Sequence, residues 1–105
     1  MRRGEVWWAD LPQPVGRRPV VLVSRDEAYE VRRNVAVVEV TTVARGLATE
    51  VKLGHRDGLP KASVANADGI HTLPMALLRQ RISGLGAERI AQIDDALRFA
   101  LALDD

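Results

Sequence analysis

Arginine and threonine side chains at the ends of apolar segments are the residues best suited to chemistry in this chain. Arg17 and Arg18 come directly before one apolar run, and Thr41 and Thr42 close another. A guanidinium and a hydroxyl that converge on one phosphate could bind it and stabilise charge developing on its oxygens. Arginines and threonines at strand ends also commonly face solvent, so the pattern alone leaves both interpretations open.

Several other kinds of catalytic site are absent from the sequence. The chain has no cysteine, which excludes disulfides, thiolate metal sites and cysteine nucleophiles. It has no glycine-rich phosphate loop, no histidine or carboxylate group at metal-ligand spacing and no nucleophile elbow. His55 and His71 could serve as an acid and a base only if they converge, and His71 is expected to be a hydrogen-bonded structural residue. We therefore expect neither a metal nor a cofactor.

The charge distribution favours an anionic partner on one face. The net charge is only +1, but residues 1–86 carry 13 basic and 9 acidic side chains, whereas the rest carry 2 and 5. Thirteen of the 15 basic residues are arginine, which suits bidentate phosphate binding, although a biased genome composition would give the same excess. The acidic pairs at 94–95 and 104–105 are expected to be solvated, because neighbours on a helix do not face one point.

Short β-type runs followed by one amphipathic segment predict the elements that must position these residues. The predicted strands are Val6–Leu11, Pro19–Ser24, Val35–Thr41, Thr49–Leu53, Ser63–Ala67, Gly69–Leu73 and Arg79–Ser83. The fourth is expected to pair with the third, and the segments 25–34 and 54–60 are expected to be loops. Apolar residues at helical spacing predict a C-terminal helix that buries Ile90, Ile93, Leu97 and Leu101.

These elements define one domain over residues 1–105. Its fold class is mainly β, or α+β by a stricter count, and we expect an antiparallel sheet or small barrel closed by the helix. A chain of this size gains stability from oligomerisation or a partner. The sequence has neither an apolar signal-peptide core nor a stretch long enough to span a membrane, so we expect a cytoplasmic protein.

Four segments, in order along nearly the whole chain, resemble the MazF/PemK (Kid) family of bacterial toxins. They are RGEVWWADL at 3–11, GRRPVVLVS at 16–24, VVEVTT at 37–42 and SVANADGIHTL at 63–73. The resemblance implies an SH3-like barrel that forms a homodimer, and a toxin of a type II toxin-antitoxin system that binds a MazE-like antitoxin. It also implies metal-independent cleavage of single-stranded RNA at short motifs, in messenger, ribosomal or transfer RNA, which inhibits translation and growth.

The resemblance implies two catalytic residues. The essential arginine of the family corresponds to Arg18 and its essential threonine to Thr41, with Thr42 as the alternative. In the implied reaction the 2′-hydroxyl of RNA attacks the adjacent phosphate, leaving a cyclic phosphate and a free 5′-hydroxyl. Arg18 would stabilise the charge on phosphorus, and Thr41 would donate a hydrogen bond to a phosphate oxygen. Many relatives carry an acidic residue in the first loop, but the loop at 12–17 has none, so the general base is unassigned.

Further side chains are predicted to contact RNA. The arginines and threonine among them could hold the phosphate backbone, and an aromatic ring could stack on a base. These candidates are Arg17, Thr42, Arg25, Arg45, Arg56, Arg79, Arg81 and Trp7. Successive strand residues face opposite ways, so Trp8 is expected in the core or a dimer interface instead.

Two alternatives remain at this point. One is a non-enzymatic toxin resembling CcdB, which poisons DNA gyrase through an apolar, tryptophan-containing C-terminus; the sequence Leu103-Asp104-Asp105 counts against it. The other is an SH3-like RNA-binding module without catalysis, which the weak net charge and the missing loop carboxylate would suit.

Overall fold

The computed structural model describes residues 1–103, so the prediction of solvated charges at Asp104 and Asp105 lies outside the described residues. Six strands and two helices make up most of this range. The strands are β1 (Glu5–Asp10), β2 (Arg17–Leu22), β3 (Asn34–Thr41), β4 (Glu50–Leu53), β5 (Ser63–Pro74) and β6 (Leu78–Gly84). The helices are α1 (Ala28–Val31) and α2 (Ala87–Leu101), and short 3-10 turns cover His55–Asp57 and Met75–Leu77.

All six strands belong to one antiparallel sheet with the order β4-β5-β3-β2-β1-β6. The sheet curls into a half-barrel, and the turn after β4 reaches the far edge strand. There the Ser83 hydroxyl donates a hydrogen bond to the carbonyl oxygen of Asp57. A side chain at Gly58 would collide with Ser83, since its Cβ would lie 2.6 Å from that of the serine. The predicted fold, a small antiparallel barrel with a C-terminal helix, is confirmed.

Apolar side chains form two clusters on opposite faces of the sheet. The first lies under α2 and includes Val6, Val21, Val40, Val51, Leu53, Leu59, Ala65, Ala67, Leu85, Ile93 and Ala96. The second includes Ala9, Leu11, Val20, Leu22, Ala28, Val35, Val37, Leu73 and Leu78. Because neighbouring residues of β2 alternate between the clusters, this strand is buried on both sides. Its continuous apolar run predicted that burial.

The structure corrects five sequence-based expectations. The predicted strands at 63–67 and 69–73 form one strand, β5, which contains an irregularity opposite β3. β4 pairs with β5 and not with β3, because β5 lies between them. The polar segment at 25–34 contains α1, and the loop at 54–60 contains a 3-10 turn. Leu101 is 52% exposed, since the last turn of α2 extends past the sheet, whereas Ile93 is buried.

Candidate active site

Strands β2 and β3 bring the two predicted catalytic residues together. Val20 is the cross-strand partner of Glu39. Continuing this antiparallel register by two residues places Arg18 opposite Thr41, and residues two apart on a strand share a face. Arg18, Glu39 and Thr41 line one polar cavity of about 190 Å³.

A carboxylate lies between two basic side chains at this site. Arg18 donates a hydrogen bond from Nη1 to Oε1 of Glu39 over 2.7 Å, and Nε2 of His71 lies 3.1 Å from Oε2 of the same carboxylate. The Glu39 side chain is 19% exposed, whereas Arg18 is 36% and His71 30% exposed. The three residues form a row across β2, β3 and β5, and the predicted hydrogen bonding of His71 is confirmed.

The irregularity in β5 makes room for this carboxylate. The register between β3 and β5 jumps from Val38 opposite Ile70 to Glu39 opposite Asn66. Gly69 lies within the resulting bulge, where a Cβ would be 3.3 Å from the Cβ of Glu39. A β-bulge commonly changes the direction in which a side chain points, and glycine permits close approach. The absence of a side chain at Gly69 therefore leaves space beside Glu39.

Buried residues of the second apolar cluster hold the row in place. Val20 lies two residues from Arg18 on β2, and Val37 lies two residues from Glu39 on β3. His71 is the cross-strand partner of Val37. Arg18, Glu39 and His71 therefore lie next to buried valines on the same strands. The packing of these valines fixes the backbone that carries the three polar side chains.

The segment after β3 forms the other side of the cavity. Residues 42–48 are exposed, and Arg45 and Glu50 line the cavity together with Asn66. The Glu50 carboxylate accepts hydrogen bonds from the backbone N–H groups of Arg45 and Leu47, at 3.0 to 3.1 Å. Desolvation, the largest single influence, raises the pKa of Glu50, but hydrogen bonds from the backbone of Leu47, Arg45 and Gly46 lower it overall. Glu50 therefore anchors the segment as an ionised carboxylate.

Of the eight predicted RNA-contacting residues, Arg45 lines the cavity and the others lie elsewhere. Arg17 stacks over the Trp8 ring at 5.2 Å from its centroid, and Thr42 lines a neighbouring depression. The other four arginines form ion pairs with nearby carboxylates. These pairs are Arg25–Glu27, Arg56–Glu88, Arg79–Asp10 and Arg81–Glu5.

The tryptophan that packs against the core is Trp7, whereas the sequence predicted Trp8 in the core or a dimer interface. Trp7 packs against the second apolar cluster and donates a hydrogen bond from Nε1 to Glu5 over 3.0 Å. Trp8 is half-buried and belongs to neither cluster, so its predicted place in the core is wrong. The pairing of β1 with β6 has an irregularity on each side of the two tryptophans, and such bulges alter which residue faces inward. A dimer-interface role for Trp8 stays a prediction.

Sequence reasoning missed Glu39 as a site residue and gave His71 only a structural role. One signal was available: Glu39 is the single charged residue of the apolar run 35–41, and it shares a strand face with Thr41. A carboxylate at such a position needs a partner, because burying an unpaired charge is costly. Its two partners, Arg18 and His71, lie 21 and 32 residues away and are found only through the fold. Within residues 1–103, no three His, Asp or Glu side chains converge as a metal site would require.

A guanidinium, a hydroxyl and a carboxylate line one polar cavity, and a histidine outside the lining contacts that carboxylate. These groups are suited to holding and activating a phosphodiester. Such a combination has the chemistry that phosphate binding requires, and it lies on a half-barrel.

Comparison with known proteins agrees with this arrangement. Residues 2–101 match the family model described as PemK-like, MazF-like toxin of type II toxin-antitoxin system. A probable endoribonuclease, MazF5 of Mycobacterium tuberculosis, is 41% identical over 100 residues, covering 94% of this chain and 91% of that protein. The solved structure of Mycobacterium tuberculosis toxin MazF-mt6 matches with a TM-score of 0.89 and 33% identity, covering 96% of this chain and 99% of that one.

A further solved structure contains a second component. It is an endoribonuclease in complex with its cognate antitoxin from a mycobacterial species, and its TM-score is 0.89 at 31% identity, covering 100% of this chain and 98% of that one. The chain belongs to the PemK-like, MazF-like toxin family of type II toxin-antitoxin systems. The family resemblance seen in the sequence is therefore confirmed.

Proposed function

We propose that this toxin is an endoribonuclease that cleaves single-stranded RNA at short sequence motifs without a metal ion, thereby inhibiting translation and growth. The observation that carries the proposal is the convergence of Arg18 and Thr41 on one polar cavity. The relatives named as endoribonucleases support the same activity. They give no support to a gyrase poison or a non-catalytic module.

Arg18 would bind the scissile phosphate and stabilise the charge that develops on its oxygens. Its ion pair with Glu39 engages Nη1, and a guanidinium has five N–H groups in a fixed fork. The pair therefore orients the arginine while leaving N–H groups directed at the cavity. Arginine stays charged at neutral pH, so its part is electrostatic and not that of a proton donor.

Thr41 would hold a phosphate oxygen. Its Oγ1 accepts a hydrogen bond from the backbone N–H of Val43 over 3.2 Å. A hydroxyl that accepts one bond still has its own proton to donate. The 2′-hydroxyl is part of the substrate, so its attack is intramolecular and correct orientation supplies much of the acceleration. The products would be a 2′,3′-cyclic phosphate and a free 5′-hydroxyl.

Arg45 is the RNA contact that its position favours, because it lines the same cavity. We retain Arg17, Thr42, Arg25, Arg56, Arg79, Arg81 and Trp7 as predicted contacts farther along the strand. Most of these arginines already pair with carboxylates, so RNA phosphates would have to replace those partners. Such exchange makes each contact weak individually and sensitive to salt.

We further propose that the toxin works as a cytoplasmic homodimer and is inhibited by a MazE-like antitoxin. The structurally similar endoribonuclease solved with its cognate antitoxin supports such a partner. An acidic, extended antitoxin segment would compete with RNA for the arginines around the cavity. No helix within residues 1–103 is long and apolar enough to cross a membrane.

The test is cleavage of a long single-stranded RNA by the purified toxin in excess EDTA, with the 5′ ends of the products mapped. We expect cleavage at a short recurrent motif. Arg18→Ala should lower the single-turnover rate about 100- to 1,000-fold, the range found when a preorganised charge-stabilising group is removed. Thr41→Ala should lower it by a smaller factor, and both variants should keep the unfolding midpoint of the parent protein.

Arg33→Ala is the matched control for this test. Arg33 is an exposed arginine directly before β3, at the opposite end of that strand from Thr41. Its substitution should leave the rate unchanged. Intact RNA at high toxin concentration would overturn the proposal, and RNA binding without products would favour the non-catalytic module. A stabilised gyrase–DNA cleavage complex would favour the CcdB-like alternative.

A further inference from the structure

The first loop lacks the carboxylate that many relatives carry, but Glu39 on β3 places a carboxylate in the cavity lined by Arg18 and Thr41. We propose that Glu39, on β3, is the general base of RNA cleavage and that His71, on β5, is the positioning residue that orients it. This inference rests on the proposed function, because it assigns a group within that reaction.

Position and access favour Glu39. It shares a strand face with Thr41, stands beside Arg18 and lines the cavity. A carboxylate has about four lone-pair sites, and Arg18 and His71 occupy one on each oxygen. Both oxygens therefore keep acceptor capacity. Because the side chain is 19% exposed, a substrate hydroxyl can reach it.

Glu50 is the other carboxylate that lines the cavity, and its contacts make it a poorer base. Its oxygens accept backbone N–H groups from the segment at 45–47. Three such contacts occupy the Glu50 carboxylate, whereas Glu39 has two, so Glu50 has less free acceptor capacity for a substrate proton. The charged and titratable groups around Glu39 are Arg18 from β2, His71 from β5, and Arg45 and Glu50 across the cavity.

Glu39 and solvent water account for every proton that moves in the proposed step. The O–H bond of the 2′-hydroxyl breaks, and its proton moves to a Glu39 oxygen as the new bond from the 2′-oxygen to phosphorus forms. The bond from phosphorus to the 5′-oxygen then breaks, and that oxygen takes a proton from solvent water. Glu39 returns its proton to solvent, so the reaction needs no other reactant.

His71 and Arg18 fix the carboxylate from two sides. One hydrogen bond on each oxygen prevents rotation of the carboxylate plane, and buried Val37 holds the strand beneath. A base must lie within hydrogen-bond reach of the proton that it removes, so orientation contributes directly to rate. His71 acts through Glu39 and need not touch the substrate.

The experiment compares Glu39→Gln with the parent protein and with Glu30→Gln, an exposed glutamate of α1. Glutamine keeps the size of the side chain and an oxygen that can accept from Arg18. Glu39→Gln should lower the single-turnover rate about 100- to 10,000-fold, the usual contribution of a general base. It should leave RNA affinity, measured by fluorescence anisotropy, within about threefold, and Glu30→Gln should change neither quantity.

Two further measurements test the assignment: the pH profile separates a base from a group that only holds Arg18, and a sulfur-containing substrate separates a base from a general acid. In the parent protein the cleavage rate should fall at acid pH as the base becomes protonated, and Glu39→Gln should remove that limb of the profile. With an RNA whose scissile 5′-oxygen is replaced by sulfur, departure needs no protonation. The Glu39→Gln defect should persist on this substrate if Glu39 is the base.

The outcomes distinguish this inference from the proposed function. If the parent protein does not cleave RNA, the proposed function fails. If the parent cleaves and Glu39→Gln cleaves equally, keeps the acid limb, or is rescued by the sulfur substrate, the assignment of Glu39 as base is overturned. His71→Ala should lower the single-turnover rate about tenfold without changing RNA affinity, because the carboxylate loses a hydrogen bond that orients it, and His71→Gln, which can still donate, should restore part of the rate. A loss of RNA affinity in His71→Ala, or no recovery of rate in His71→Gln, would refute its positioning role.

Discussion

Two arginine–carboxylate pairs of this protein have the same chemistry and opposite surroundings. Arg89 donates from Nε to Oδ1 of Asp57 over 3.2 Å, and Oδ2 of that aspartate accepts the backbone N–H of Gly54 over 2.9 Å. The Asp57 side chain is 5% exposed and joins the turn after β4 to α2. Arg18 and Glu39 instead face an open cavity.

The two carboxylates differ in whether they can still accept a hydrogen bond from a ligand. Asp57 is enclosed and satisfied by groups of the folded chain, so its pair is structural. Glu39 is equally well held but retains access to a ligand. Proximity of opposite charges alone therefore does not indicate a functional site. An ion pair that is held rigidly and is still accessible to a ligand is a better indication.

The strongest test of this contrast removes the enclosed carboxylate. Asp57→Ala leaves Arg89 partly buried without its carboxylate and deprives the Gly54 N–H of its acceptor. We expect the free energy of unfolding to fall by about 3 to 5 kcal/mol, which urea denaturation would measure. Asp95→Ala, which breaks the exposed pair with Arg98, should cost below about 1 kcal/mol.

The rate of the remaining folded Asp57→Ala molecules should stay within about threefold of the parent value. An activity loss larger than the loss of folded protein would show that Asp57 also serves the site, and the contrast between the two pairs would fail.

A smaller effect is expected from filling the space beside the open carboxylate. Gly69→Ala places a Cβ 3.3 Å from the Cβ of Glu39, so the glutamate must shift by a few tenths of an ångström. We expect a loss of about tenfold in single-turnover rate, since misplacement by 1 Å can cost about 100-fold. Gly86→Ala has open space around the new Cβ and should leave the rate unchanged. An unaltered rate for Gly69→Ala would mean that the position of Glu39 is not critical.

The smallest effect concerns a third pair, Arg81 with Glu5 on the edge of the sheet. Desolvation, the largest influence, raises the pKa of Glu5, but hydrogen bonds from Trp7, Arg2 and Arg81 lower it below the ordinary value of 4.5. A lowered pKa means that the ionised form stabilises the fold above pH 4.5 and that this contribution is lost as the pH falls through the folded value.

Glu5→Gln should therefore reduce the loss of thermal stability that the parent protein shows below pH 4.5, while the cleavage rate at neutral pH stays the same. A melting-temperature profile from pH 3 to pH 7 would measure this. An unchanged acid slope would show that Glu5 contributes nothing to it.

Most of the elements were predictable from sequence, because apolar runs are local patterns that identify the strands. The resemblance to the family's ordered motifs predicts Arg18 and Thr41, and their catalytic roles stay predictions. The relation of Glu39 to His71 was not predictable, since it depends on the bulge opposite Val38 and on β5 pairing with β3 along its length. Sequence alternation also could not tell Trp7 from Trp8, because bulges beside them change the facing.

One side of the cavity stands on packed strands and the other is an exposed segment, and this difference has an evolutionary consequence. Arg18, Glu39 and His71 stand on strands whose backbone is fixed by buried residues of the second apolar cluster, so packing holds the positions of these three side chains. The exposed segment 42–48 is attached mainly through the Glu50 carboxylate and buries little. On the proposed function, mutations in that segment would change the RNA contacts made there while leaving Arg18, Glu39 and Thr41 in place. Target choice would then diverge among descendants of this toxin faster than the reaction itself.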